Sequence, residues 1–569
     1  MSSDHVHPRV IQNSCIAYAI GLATYGPFFA WGASGDFWPA ILYAAVFGLG
    51  LTLLYALRRP MLKFLGHALS YDRSVTVHEF IALRHGNDPL VRGVAAALTV
   101  FALSGLIICE TLGLATVLKP LLSGSENLTH LFIAAVLTVV VSCTLLSGHA
   151  GIMHAAQLQL GIIYFGLFAS MTFLMYLQMS DIGLMPTQGT FAAGIITVLC
   201  AVMYFYRRVR YVDSNSLRYC VSNIVTAYRD RERLRFRLLS RFQKILNAVI
   251  AIFMVLAVVV AAIDLYVGGI PTVVHDTAAA LQAGTQVSNA TLISLVLLPL
   301  FHPIVDVVNW QRLAAFEKER DWTYFDESKW TAAFKSFCAT YAAEVPLVRI
   351  LICLFGAIAG LTLATPEVGD VGYAFIAQLM AQENFAATAT LSFLLLSLFA
   401  MAVSTMSSLF AASLCTVHYD ILPMFWSKPM FAQARAEKAE AIRWTMIAGA
   451  GLGFAVFAAF YVADAGLKIT FASPSFLVLV FGFSSFQLSL VPLVLGPLMT
   501  ASGARGTVSP GWALAIMGVS AAVAVGASVA YFATEYDVLL SVAVPSCLGS
   551  GALLFMTARL WQWRTHAPT

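Results

Sequence analysis

The sequence predicts an all-α polytopic membrane protein with about fourteen membrane-spanning helices. Three observations carry this. Of 569 residues, 59% are hydrophobic and 11% charged, against about 25% charged in a soluble domain. Fourteen apolar runs approach the length of about 20 residues that crosses a bilayer as helix. Finally, Lys and Arg sort by loop. With a cytoplasmic amino terminus, 30 of the 33 fall in alternate segments, as cytoplasmic loops require.

The runs lie near 11–32, 37–57, 93–118, 129–147, 151–177, 190–206, 245–267, 288–308, 334–362, 387–417, 441–463, 474–499, 511–533 and 538–558. Only Lys119, Arg349 and Lys468 escape the sorting. An error of one span would scramble it, so both termini are expected on the cytoplasmic side. The outer loops, such as "GASGD", "SGSENLTH", "TPEVGDVG" and "TEYD", are acidic or neutral. "NLT" at Asn127 and "NAT" at Asn289 match the glycosylation pattern, which matters only in a secretory pathway. The opening "MSSDHVHPRV" lacks the features of a signal peptide, so the first run reads as a retained span.

The nine cysteines lie mostly in apolar runs, with no CxxC pair. They read as packing residues, without a disulfide framework or metal site. No P-loop, H-E-x-x-H or G-x-S-x-G pattern is present, so ATP-driven pumping and hydrolysis find no support. The expectation is a non-enzyme with no cofactor and no nucleic-acid partner.

Two spans carry helix breakers. The first contains "LATYGPFF", with Gly26 and Pro27. The eighth contains "LLPLFHPIVDVVNWQR", with Pro299 and Pro303. Proline removes a backbone donor and clashes with the preceding turn. In hydrocarbon, such breaks persist where they line a cavity or bind something, and breaks leading two halves point to a transport site. The tenth span is unusual in another way. Ser404, Thr405, Ser407, Ser408, Ser413 and Thr416 place six hydroxyls within it.

These segments resemble the sodium:solute symporter family. "SVTVHEFIALRHG" (74–86) is similar to the family's loop after its second core helix. "DVVNWQRLAAFEKER" (306–320) is similar to the close of its sixth, and "AVSTMSSLFAASLCTVHYDIL" (402–422) to its eighth. "SCIAYAIGLATYG" (14–26) resembles the first core helix, and "SPSFLVLVFGF" with "PLVLGPLM" the tenth. The resemblance covers about 10–500. It implies a five-plus-five inverted-repeat transporter fold, with the first repeat at 10–180 and the second at 288–500. The hairpin at 190–267 is then an insertion, and 511–558 forms peripheral helices. All belong to a single transporter domain, 1–569.

The resemblance also supplies a use for the hydroxyls. Na+ is a hard cation that takes oxygen ligands, as Ca2+ and Mg2+ do. By motif, Ser404 and Thr405 offer hydroxyls, and Met401, Ala17 and Ile20 offer backbone carbonyls. For Ser407, Ser408 and Ser413, hydrogen bonding within the helix and close packing is the simpler reading. Thr24, Tyr25, Phe28, Phe301, His302 and Asp306 would wall the solute pocket between the two breaks. The implied function is a secondary active symporter in the plasma membrane, with a bacterial inner membrane in view. It would couple Na+ to uptake of a small polar organic solute, a carboxylate or amino acid.

Departures keep alternatives open. Where relatives carry an aspartate in the fifth core helix, this chain has Ala156 or Gln157, with His154 nearby. That histidine could titrate near neutrality, so H+ coupling in the same fold stands beside Na+. A transporter-derived solute sensor is a third reading. The basic loop at 207–244 has two explanations, an anionic-lipid contact or ordinary positive-inside charge. Glu110, Asp306, Glu344 and Arg349 are ionisable residues within spans, where such groups default to functional hypotheses. Gln311 and Arg312 match the family's "QR", read as a structural gate pair.

Overall fold

The computed structural model describes residues 8–61, 64, 76–122, 125–181, 289–315, 327–362, 371–382, 384–425, 435–466, 474–500, 507–534 and 541–565. Among these, every regular element is a helix. The expected insertion at 190–267, with the basic loop at 207–244, lies outside the described residues.

The first half contains α1 (Pro8–Ala19), α2 (Leu22–Ala33), α3 (Trp38–Ala56), α4 (Val77–Arg84), α5 (Pro89–Leu118) and α6 (Glu126–Asp181). The α6 segment carries two spans, Glu126–Leu145 and Gly151–Leu177. The second half contains α7 (Asn289–Val305), α8 (Val307–Ala315), α9 (Glu327–Thr362), α10 (Val371–Ala381), α11 (Phe385–Thr416), α12 (Arg435–Gly466), α13 (Pro474–Leu488) and α14 (Val491–Met499). Two more helices follow, α15 (Pro510–Thr534) and α16 (Ala543–Thr565). A broken helix leads each half, and a short helix follows the second span of each: α4 after α3, and α10 after α9. Ten helices among the described residues are long and apolar enough to cross a membrane, eleven if α13 and α14, bent by 51°, form one span. The chain is a multi-pass membrane protein.

Local chemistry sets the helix starts. Asp88 accepts from Leu90 N–H at 2.7 Å ahead of Pro89, and Asn384 accepts from Ala387 N–H at 2.7 Å. Each side chain satisfies a donor that the first turn would otherwise leave open. Outside the bundle, Phe101, Leu131, Phe454, Val462 and Trp563 are exposed. Large apolar side chains exposed in this way suit hydrocarbon. The hydroxyl-rich α11 is instead buried along most of its length.

Both breaks lie away from their prolines, which corrects the sequence expectation. The helical backbone runs through Pro27, Pro299 and Pro303. The first interruption falls at Ile20–Gly21 and the second at Asp306. A proline costs one i−4 bond, and a packed helix can absorb that loss. The Pro299 carbonyl, which Pro303 cannot bond, lies against Gly50 of α3, where any Cβ would collide with it. At Gly21 the chain is extended, with φ −83° and ψ 158°. There, side chains from other helices take over the backbone groups.

Two further contacts position the first break. A Cβ at Gly32 of α2 would strike the Cys353 carbonyl of α9, and one at Gly356 would strike the Phe29 carbonyl of α2. Small residues let the two backbones touch, as in close helix pairs within membranes. At the other end of α11, Asp420 is fully buried and accepts from Thr76 at 2.8 Å and Arg92 Nε at 2.9 Å. It also pairs with His78 Nδ1 at 2.8 Å. This network ties α4 and α5 to the π-helical turn Val417–Ile421 that ends α11.

Candidate functional site

The first break is built from two short helices end to end. The last carbonyls of α1 and the first N–H groups of α2 have no intrahelical partners, and their dipoles present opposite partial charges. Each end receives a side chain of the matching sign. Glu110 of α5 accepts from Leu22 N–H at 2.8 Å and Ala23 N–H at 3.1 Å. Arg349 of α9 donates from Nη2 to the Ala19 carbonyl at 3.1 Å. Both side chains are buried. The Glu110 carboxyl thus caps the start of α2, and a guanidinium caps the end of α1.

Thr405, one of the hydroxyl pair of α11, meets the same place. Thr405 Oγ1 donates to the Tyr18 carbonyl at 3.2 Å. A Cβ at Gly21 would collide with Glu110 Oε1 and sit 3.0 Å from Thr405 Oγ1. Glycine is therefore the residue that lets Glu110, Thr405 and the break converge. Ser404 Oγ is fully buried and has no hydrogen-bond partner among the described residues. Ala17, Ile20 and Met401 are also buried. At the break, the carbonyls that take side-chain donors are Tyr18, Ala19 and Gly21, the last from Thr24 Oγ1 at 2.9 Å.

Three of the remaining hydroxyls do other work, and Thr416 Oγ1, like Ser404 Oγ, is buried without a partner among the described residues. Ser407 donates to the Ser404 carbonyl at 3.1 Å, and Ser413 to the Leu409 carbonyl at 2.9 Å. Ser408 accepts from Arg312 Nη2 at 2.7 Å, while Arg312 Nη1 donates to the Ser14 carbonyl at 3.0 Å. Gln311 donates to the Ala412 carbonyl at 3.3 Å. The "QR" pair therefore clamps α8 to α1 and α11.

The second break is satisfied mainly from nearby. Asp306 Oδ1 accepts from Val308 N–H at 3.0 Å, capping α8, and Trp310 Nε1 donates to the Ile304 carbonyl at 2.8 Å. Gln487 of α13 donates to the Val305 carbonyl at 3.0 Å. Asp306 Oδ2 is buried without a partner.

The proposed solute residues divide between these breaks. Thr24 is half-buried, whereas Tyr25 and Phe28 are fully packed. Tyr25 stacks on Phe29 with ring centroids 5.8 Å apart, and Phe28 meets Tyr43 edge-on at 5.5 Å. Phe301 and His302 are half-buried on α7, one turn before Asp306. Gln157 is buried with Oε1 unpartnered among the described residues.

Sequence reasoning singled out Glu110 and Arg349 as costly charges but did not pair them with the break. Their partners lie 88 and 330 residues away. It also missed Gln487 and the bend at α13–α14. The polar residues Ser484, Ser485 and Gln487, clustered in an apolar run before Pro492, were the available signal.

No family model matches this chain, and no curated protein does. Solved structures do. A Na+-coupled sialic acid symporter in a substrate-bound, outward-open state aligns with a TM-score of 0.57 at 12% identity, over 97% of this chain and 90% of that one. Mhp1, a nucleobase-cation-symport-1 family transporter in a closed conformation with bromovinylhydantoin bound, aligns at 12% identity with a TM-score of 0.43. It covers 98% of this chain and 93% of that one. With the former alignment, the chain has the five-plus-five inverted-repeat transporter fold.

Proposed function

We propose that this protein is a secondary active symporter of the sodium:solute symporter type. It couples Na+ to uptake of a small polar organic solute, a carboxylate or amino acid. One observation carries the ion assignment: Thr405 of α11 donates to the Tyr18 carbonyl at a break in the first helix, and the Oγ of its neighbour Ser404 has no partner among the described residues although fully buried. A buried hydroxyl normally finds one. Thr405 gives its proton to the Tyr18 carbonyl, which leaves its lone pairs available to a cation. In this reading Ser404 and Thr405 bind Na+ with the carbonyls of Met401, Ala17 and Ile20. Thr24, Tyr25, Phe28, Phe301, His302 and Asp306 face the solute.

The fold shared with a Na+-coupled sialic acid symporter supports the transport reading. Residues 10–180 and 288–500 would form the two repeats that move against each other. The protein would sit in a plasma membrane, the inner membrane of a bacterium, with both termini cytoplasmic and the loop at 207–244 near anionic lipid. One observation favours protons as the coupling ion: Glu110, an acid, holds the break itself. The test is solute uptake into proteoliposomes under an imposed Na+ gradient and, separately, an imposed pH gradient. Na+-driven accumulation is expected. Accumulation driven by the pH gradient alone would replace Na+ with H+, and accumulation under neither would remove the symporter assignment.

A further inference from the structure

We propose that Arg349 is the anion-binding residue of the solute site and that the solute presents a carboxylate to it, a step that rests on the transport reading above. Arg349 is only 4% exposed, in the interior of the bundle. Among the described residues, its single hydrogen bond is from Nη2 to the Ala19 carbonyl at 3.1 Å. Nε and Nη1 are buried without partners. Its charge is faced by rings instead: the guanidinium carbon lies 4.2 Å from the centroid of Tyr43, 5.3 Å from Phe47 and 5.6 Å from Phe28. Ring faces offset part of the cost of burying a cation. They leave its N–H groups unsatisfied, and burial makes such groups expensive.

The neighbouring acids are engaged elsewhere. Glu110 is held by the first N–H groups of α2. Glu344, five positions earlier on α9, accepts from the Tyr164 hydroxyl at 3.1 Å. Among the described residues, none of the ion pairs includes Arg349. A helix start is an alternative place for a carboxylate, but at this break Glu110 already fills it. What remains for an anionic solute is the guanidinium. With aromatic rings around it, the N–H groups still open suit the oxygens of a carboxylate. Arg349 also packs on Phe28, already assigned to the solute wall. A merely structural arginine would cap α1 with its carbonyl bond and would not need two further open nitrogens.

The experiment follows thermal unfolding of the purified full-length protein with and without Na+. Probes are acetate, succinate and benzoate, each beside its uncharged amide. At least one carboxylate should raise the wild-type midpoint where its amide does not. Arg349→Gln should abolish that rise. Arg349→Lys, which keeps the charge but loses the fork, should bind the same carboxylate at least tenfold more weakly. If Arg349→Gln does not fold, the lysine variant decides: unchanged affinity there overturns the proposal. So do equal responses to acid and amide, a wild-type-like response in Arg349→Gln, or no carboxylate response at all. Loss of the Na+ response with an Arg349-dependent carboxylate response retained would instead count against the ion assignment alone.

Discussion

The two helix breaks differ in who completes them. At Ile20–Gly21 the exposed ends are held from afar, by Glu110 of α5 and Arg349 of α9. At Asp306 the break is held mainly by its own residues, Asp306 and Trp310, with Gln487 added from α13. A self-capped break can travel as a unit with its helix. A break capped by other helices is coupled to them, so any shift of α5 or α9 alters the ends of α1 and α2. The first break is therefore the place where the positions of α5 and α9 are linked to those of α1 and α2. This is also where Thr405 arrives from α11.

The largest effect that separates the breaks should come from Glu110→Ala. It strands two buried N–H groups, at about 1–3 kcal/mol each. The thermal unfolding midpoint of the purified protein should drop strongly, and a wild-type midpoint would mean that the first break does not depend on α5. Next comes Gly21→Ala, whose methyl must displace Glu110 or Thr405. Overpacking of this kind costs about 1–3 kcal/mol. Gly48→Ala, where a Cβ meets nothing within 4 Å, is the matched control by the same assay. For the second break, Gln487→Leu strands one buried carbonyl, that of Val305, at about 1–3 kcal/mol. A loss larger than that of Glu110→Ala would reverse the comparison.

The smallest effect is a pH dependence outside both breaks. His85, between α4 and α5, accepts from Val508 N–H at Nδ1 (3.0 Å), which places its proton on Nε2 toward the Leu493 carbonyl at 2.9 Å. Burial holds the imidazole below its ordinary range, partly opposed by the carbonyls of Leu493 and Val508. The folded state therefore prefers the neutral ring. Its stabilisation is present above the unfolded value of about 6.5 and is lost as pH falls below it. Unfolding midpoints taken from pH 7 to pH 5 should decline more in wild type than in His85→Gln.

How far these features were legible depended on whether their cause was local. Membrane helices follow from runs of apolar residues, and the hydroxyls of α11 stand together in one segment. The prolines signalled two interrupted spans but not where the interruption falls. A missing N–H identifies one weak bond, whereas the break forms where a distant side chain can take over the exposed groups. Gly21 reads as an ordinary small residue until Glu110 and Thr405 are seen against it. Likewise, Arg349 reads as a misplaced charge until α9 is laid along α2, a contact set by Gly32 and Gly356. Asp420 closed a recognisable motif, but its partners His78 and Arg92 lie more than 300 residues away.

The central claim is that α11 and the first break share a cation. Na+ binding to the purified protein, compared between wild type and the Ser404→Ala/Thr405→Ala double variant, tests it without needing the solute. Saturable binding in wild type, lost in a double variant that still folds, is the predicted result. Equal Na+ binding by both proteins, or none by wild type, would contradict it.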